Sequence, residues 1–144
     1  SNDVIINNKE ATQMKFYTSG TERMSINAAG DLKFNSGYGS AATAYGCRAW
    51  VNFNGTGTVA IREDGNVSSI TDNGTGNYTV NFAVAMVDAN YAVMGLASST
   101  MTGRVAGVSP YFSGTYTTAA TQFLVKDSAD VTIDTVHVSI AILR

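Results

Sequence analysis

The groups with most chemical capacity in this chain are a few carboxylates, one thiol and one imidazole. Glu63, Asp64, Asp72 and Asp88 are the acids that a polysaccharide-cleaving site would need. A retaining pair must stand about 5 Å apart, with one acid held in an apolar pocket. Each of these acids falls instead in a stretch that reads as a turn, where Asp suits the backbone. Asp127 and Asp130 flank another turn and are read the same way. No catalytic residue is assigned, and the chain is read as a non-enzyme. The single cysteine, Cys47, excludes an intrachain disulfide and any multi-cysteine metal site. It alternates with Ala49, Val51 and Phe53 and reads as a small buried hydrophobe. A thiol nucleophile would need a base, and the only histidine, His137, is remote in sequence. His137 is read as a packed, hydrogen-bonded core or interface residue. Three copies around a trimer axis could ring a metal, a speculative site; no cofactor is otherwise implied.

Asn-Gly-Thr-Gly occurs twice, at 54–57 and 73–76. A glycine-rich loop cradles phosphate when a helix start or a lysine follows. Both copies run into β-type sequence, so both read as hairpin turns. Four sequons, at Asn54, Asn66, Asn73 and Asn77, arise from an Asn- and Thr-rich composition and are not read as glycosylated. Sugars stack on exposed aromatic faces while Asn, Thr and Arg bond their hydroxyls. Trp50 and Tyr91 lie within strand-like runs and read as core or interface. Tyr38 and Tyr45 lie in a small-residue stretch. Tyr111, Phe112 and Tyr116, with Arg104 nearby, lie in an irregular region. Loops on a rigid scaffold carry recognition, so Arg104, Tyr111, Phe112 and Tyr116 are the candidate receptor-binding residues.

The elements that must position these groups are all β. From Tyr45 to Ala83, four short β-branched and aromatic runs are separated by Asn54–Gly57, Glu63-Asp64-Gly65 and Asn73–Gly76. Asn-Gly and Asp-Gly between alternating runs are the strongest short hairpin signal, and predict a meander. Cys47, Ala49, Val51 and Phe53 share one face; Val59 and Ile61, Val67 and Ser69, and Tyr78, Val80 and Phe82 are further stripes. Val136, Val138, Ile140 and Ile142 form the last. Its other face, His137, Ser139 and Ala141, is small enough for close contact with a second sheet or subunit. The helical period is missing throughout.

Charged residues make up 14% of the chain, well below the usual quarter, and Gly, Ser, Thr and Asn replace them. Desolvating Thr or Asn costs less than desolvating Lys or Glu, which suits a surface that associates. The net charge of −2 and the scattered cations argue against a nucleic-acid partner. No apolar run is long enough for a membrane-spanning helix, and membrane insertion is not expected. The start at Ser1-Asn2, without Met or a signal-peptide pattern, suggests a mature product or a piece of something longer.

Residues 1–35 differ from the rest. Met14–Thr18, Glu22–Ile26 and Asp31–Phe34 are short, thinly apolar runs separated by Ser19-Gly20 and Ala29-Gly30. None buries a core alone, which predicts an oligomerising stalk built from several chains. The run from Phe16 to Leu32, with Thr21-Glu22-Arg23-Met24 and Gly30, resembles a module of bacteriophage tail fibres. The usual glycine-rich continuation is replaced here by Asp31-Leu32-Lys33-Phe34-Asn35. A second, longer stretch, 47–95, is similar to C-terminal domains of the same fibres. It carries Arg48-Ala49-Trp50-Val51-Asn52-Phe53, Asn66–Ile70, Asn77–Phe82 and Asp88–Val93.

The expected organisation is a β stalk at 1–35, a linker at 36–46 and an antiparallel β-sandwich-like tip at 47–144, assembled as an intertwined homotrimer. The resemblance implies the distal part of a virion fibre, exposed to the medium. It would attach the particle through a bacterial surface glycan or outer-membrane protein, alongside other tail or fibre proteins. A structural cap without receptor contact is the alternative, and a polysaccharide-degrading tail protein a lesser one. Many related fibres end in a self-cleaving chaperone with a Ser–Lys arrangement; no such segment is recognisable here.

Overall fold

The computed structural model describes residues 8–10, 12–35, 40–98, 106–110 and 116–144. These residues form strands, turns and irregular segments, with no helix among them. The chain divides into two compact units, 1–45 and 46–144.

In the first unit, β1 (Met14–Thr18), β2 (Thr21–Ile26), β3 (Leu32–Phe34) and β4 (Ala42–Thr43) form one sheet in that order. The Ser19-Gly20 link has positive φ at both residues, 50° and 73°. That is the left-handed pair a two-residue hairpin turn requires. The next turn is held by Asn27, whose Oδ1 accepts the Ala29 and Asp31 amides. Strand β4 lies within the expected linker and pairs with β3.

The second unit contains β5 (Cys47–Asn54), β6 (Ala60–Gly65), β7 (Val67–Asp72), β8 (Asn77–Phe82), β9 (Ala92–Ala97), β10 (Ala106–Pro110), β11 (Ala120–Lys126) and β12 (Val138–Leu143). They make one antiparallel sheet in the order β6-β5-β12-β9-β10-β11-β8-β7. The expected sandwich is instead a single sheet nearly closed into a barrel. Its end strands, β6 and β7, are consecutive in the chain and joined through Asn66. The C-terminal strand β12 is inserted between β5 and β9.

The inward stripes are Ala49, Val51 and Phe53 on β5; Tyr78, Val80 and Phe82 on β8; Phe123 and Val125 on β11; and Val138, Ile140 and Ile142 on β12. All of these are buried. Phe53, Tyr78 and Phe123 pack edge-on or tilted at centroid separations of 5.1 to 6.4 Å. Each buried side chain of this size contributes about 1.5–3 kcal/mol. Gly95 faces inward on β9, where an added Cβ would stand 2.7 Å from both Ile140 and Val108.

Three local expectations change. Glu63-Asp64-Gly65 is not a turn but the end of β6, paired with Trp50–Asn52. The chain does not reverse there; it bends at Asn66 and continues as β7 on the far edge of the sheet. Val67 and Ser69 do not share a face. They oppose the adjacent residues Phe82 and Asn81, so a bulge at Ser68 flips the phase. Cys47 is exposed rather than buried. A bulge pairs Leu143 with Cys47 and Ile142 with Ala49, skipping Arg48 and carrying the thiol past the core.

Asn66 holds the bend. Its φ is 60°, in the left-handed region. Its Nδ2 donates to the Arg48 and Val84 carbonyls, and its Oδ1 accepts the Val84 amide at 2.7 Å. Asn tolerates this conformation better than most residues. Asn66→Ala loses both the tolerance and the bonds and is expected to cost about 2–3 kcal/mol. Asn66→Gly restores the conformational freedom and is expected to cost less. Thermal unfolding of the two variants checks this; an Ala variant as stable as the parent would remove the assigned role.

Candidate functional site

The first unit is an amphipathic sheet. Register places Met14, Ile26 and Leu32 in one row and Phe16, Met24 and Phe34 in the next. Side chains opposite one another lie on the same face, so six apolar groups share one face across three strands. Little covers them: Phe16 is 39% exposed and Phe34 55%. The other face is polar, with Lys15 opposite Ser25 and Ser25 opposite Lys33. A bulge at Arg23 brings Glu22 onto that polar face. There Lys15 Nζ lies 2.9 Å from its carboxylate and Ser25 Oγ donates to it at 2.7 Å. The hydrogen bond from Lys15, then that from Ser25, holds the Glu22 carboxyl below its usual range.

The second unit has an apolar groove on its outer surface. Trp50 pairs with Ala141, and Ala141 with Met94; alongside run Asn52, Ser139 and Leu96. The groove has a volume of about 510 Å³ and is floored by the small residues Gly95, Ser139 and Ala141. Met94 is 57% exposed and Leu96 77%. The Trp50 indole lies over Gly65, where an added Cβ would stand 2.4 Å from Nε1. Trp50, expected in the core or at an interface, is therefore on the outside. The small outer face of the last strand is real for Ser139 and Ala141. Asn52 Nδ2 donates to Ser139 Oγ at 2.8 Å, so its polar capacity is turned within the groove.

Of the four candidate receptor-binding residues, Arg104, Tyr111 and Phe112 lie outside the described residues, as does Tyr38. Tyr116 is partly exposed and packs on Tyr91 with ring centroids 5.3 Å apart. Tyr91 is buried, packs edge-on against Phe82 and donates to the Thr117 and Ala120 carbonyls. Tyr116 is thus the outermost ring of a three-ring stack, with one face committed to packing.

The remaining candidates do local work. Asp64 Oδ1 accepts the Val67 amide, Asp72 Oδ1 the Gly74 amide and Asp88 Oδ1 the Asn90 amide. Asp88 also pairs with Arg144, and its carboxyl sits below the usual range, chiefly through the Asn90 backbone bond. Glu63 pairs across the sheet with Asn52, inside β6 rather than in a turn. His137 precedes β12 and is exposed, not packed in the strand; its backbone bonds Ser98. No cluster of three metal-ligating side chains exists among the described residues.

A polar constellation not expected from the sequence closes one end of the barrel. The buried Tyr78 hydroxyl lies 2.7 Å from both Asp134 Oδ1 and the Gly55 carbonyl. The same carboxylate oxygen accepts the Gly76 amide at 2.7 Å, and the Gly55 amide donates to Thr135. Both Asn-Gly-Thr-Gly turns thus converge on 133–135. Gly55 and Gly76 have no room for a side chain: a Cβ would stand 2.6 Å from the Tyr78 hydroxyl and 2.7 Å from the Ile133 amide, respectively. The second Gly of one motif and the first of the other share this duty. The only sequence signal for it is the repeat itself.

With this geometry established, no protein-family model matches the chain, and searches of curated proteins and of solved structures return no match.

Burial, and then the Asp134 hydrogen bond and charge, raise the Tyr78 phenol above its ordinary value of 10. A proton held more tightly in the folded state gives stability that is whole below about pH 10 and is lost as pH rises above it. Tyr78→Phe is expected to cost about 1–3 kcal/mol at neutral pH and to flatten that alkaline loss. Denaturant unfolding at neutral pH and above pH 10 measures both. An unchanged alkaline slope would exclude Tyr78 as its source.

Proposed function

We propose that this chain is the distal part of a bacteriophage fibre that attaches the virion to the bacterial surface without catalysis. The family resemblance of 16–32 and 47–95 supplies this reading. The observation that supports it is the uncovered apolar face of the first sheet. A small sheet such as this four-stranded one gains independent stability through burial of such a face. Three copies of a stalk, each turning Phe16, Met24, Ile26 and Phe34 toward a common axis, bury it. The tips then present equivalent weak sites for a surface glycan or outer-membrane protein, and linkage turns weak contacts into avidity.

A second reading, a structural cap with no receptor contact, is favoured by the Trp50–Met94–Leu96 groove. An exposed apolar patch of this kind marks an association surface. Loss of adsorption on replacing Arg104, Tyr111, Phe112 and Tyr116 by Ala, with assembly kept, supports attachment. Adsorption that survives those four substitutions supports the cap.

Light scattering of the purified chain is expected to give a trimer, and Phe16→Asp with Phe34→Asp a monomer. Loss of trivalency is expected to weaken binding to host cells by about 100-fold or more. A monomeric parent chain would overturn the assembly. Equal binding to cells with and without surface polysaccharide would point to a protein receptor instead of a glycan.

A further inference from the structure

We propose that Asn73 is a site of spontaneous deamidation, selected by the fold over the chemically identical Asn54. This is independent of the attachment reading. Asn-Gly is the sequence in which the following backbone nitrogen most easily reaches the side-chain carbonyl carbon, because Gly presents no Cβ. The chain has two such pairs, Asn54-Gly55 and Asn73-Gly74.

The fold treats them oppositely. Gly55 is buried, its amide is spent on the Thr135 carbonyl at 2.9 Å, and the Tyr78 hydroxyl fills the place a Cβ would take. The Asn54 carboxamide is fastened to Thr56 three ways: Oδ1 accepts its amide and hydroxyl, and Nδ2 donates to its carbonyl. At the other pair, Asn73 and Gly74 are both exposed. A Cβ at Gly74 would meet nothing within 4 Å, so the space a five-membered ring needs is open. The Gly74 amide points at the Asp72 carboxylate, 2.9 Å away, rather than at a backbone carbonyl. That partner is an exposed side chain that can swing away, whereas the Gly55 amide is held by a backbone carbonyl. The structure gives the Asn73 carboxamide one hydrogen bond, from Nδ2 to the surface hydroxyl of Thr79 at 2.9 Å.

The Gly74 amide gives up its proton, and its nitrogen bonds to Cγ of Asn73. The Cγ–Nδ2 bond breaks, the leaving nitrogen takes up through water the proton that Gly74 gave to it, and ammonia departs, giving a succinimide. Water then opens the ring at either carbonyl, leaving aspartate or isoaspartate. Either product places a second carboxylate beside Asp72 and removes the Nδ2 bond to Thr79. Isoaspartate also adds a backbone atom to the β7–β8 turn, which the Asn73 and Asn77 backbone bonds close.

The test is incubation of the folded protein at mildly alkaline pH, followed by peptide mapping by mass spectrometry. The unfolded chain in denaturant serves as the reference. Asn73 is expected to gain about one dalton at a rate within about tenfold of the unfolded chain. Asn54 is expected to fall behind its unfolded rate by more than a hundredfold. In the unfolded chain the two should react alike. Equal native rates at the two sites, reaction at Asn54 first, or an Asn73 as protected as Asn54 would each overturn the proposal. Asn73→Ser should abolish the mass gain on that peptide and leave the Asn54 peptide unchanged.

Discussion

One constraint organises the second unit: an eight-stranded sheet has to close around a single aromatic cluster, and its two end strands are neighbours in the chain. β6 and β7 cannot pair as a hairpin and also occupy opposite ends of the sheet. The chain resolves this with one left-handed residue. Asn66 turns the strand through the corner, and its carboxamide ties the corner to the start of β5 and to the segment after β8. Antiparallel sheets leave edges that invite foreign strands. Bringing β6 and β7 together limits that exposure, while β12 fills the centre.

The opposite end is closed by polar chemistry. A tyrosine hydroxyl, one carboxylate oxygen and two glycine turns meet in a space that admits no further atom. Buried polar groups cost free energy unless paired, and here each has a partner. Rigidity at that end follows from the convergence, and so does the contrast between the two Asn-Gly pairs. Both turns are anchored on 133–135, the first through Gly55 and the second through Gly76, but the Asn73-Gly74 pair of the second stands exposed while Gly55 of the first is buried.

The two units solve the burial problem differently. The second has a core of its own. The first has one apolar face and one polar face, and among its described residues only Ser25 is fully buried. A sheet with that asymmetry calls for a partner surface, which is the physical content of the stalk reading. The outer groove of the second unit is smaller. It arises because Ser139 and Ala141 are short where Trp50, Met94 and Leu96 are long.

The β class, the stripes of β5 and β8, that of β12 without the exposed Val136, and the first-unit turns were legible in the sequence, because alternation and Gly-containing turns are local properties. So was the thin apolar content of residues 14–34. The wrong readings are of two kinds. The face shared by Val67 and Ser69 and the buried Cys47 assumed an unbroken period of two, while the Glu63–Gly65 turn took Asp-Gly for a reversal where the strand runs on. Bulges at Arg48 and Ser68 and the corner at Asn66 break that period, and what fixes each of them is its partner strand. His137 left the last strand for a similar reason: β12 begins only where β5 and β9 both pair with it, at Val138. Asp134 could not be singled out at all, since its role depends on Tyr78 and Gly76, more than fifty residues upstream. By itself the sequence determined which segments extend and which faces are apolar, because those depend on residues two apart. Which strands meet, where the sheet closes and which glycine of each repeated turn is buried are decided only when distant segments compete for the same space around Phe53, Tyr78 and Phe123.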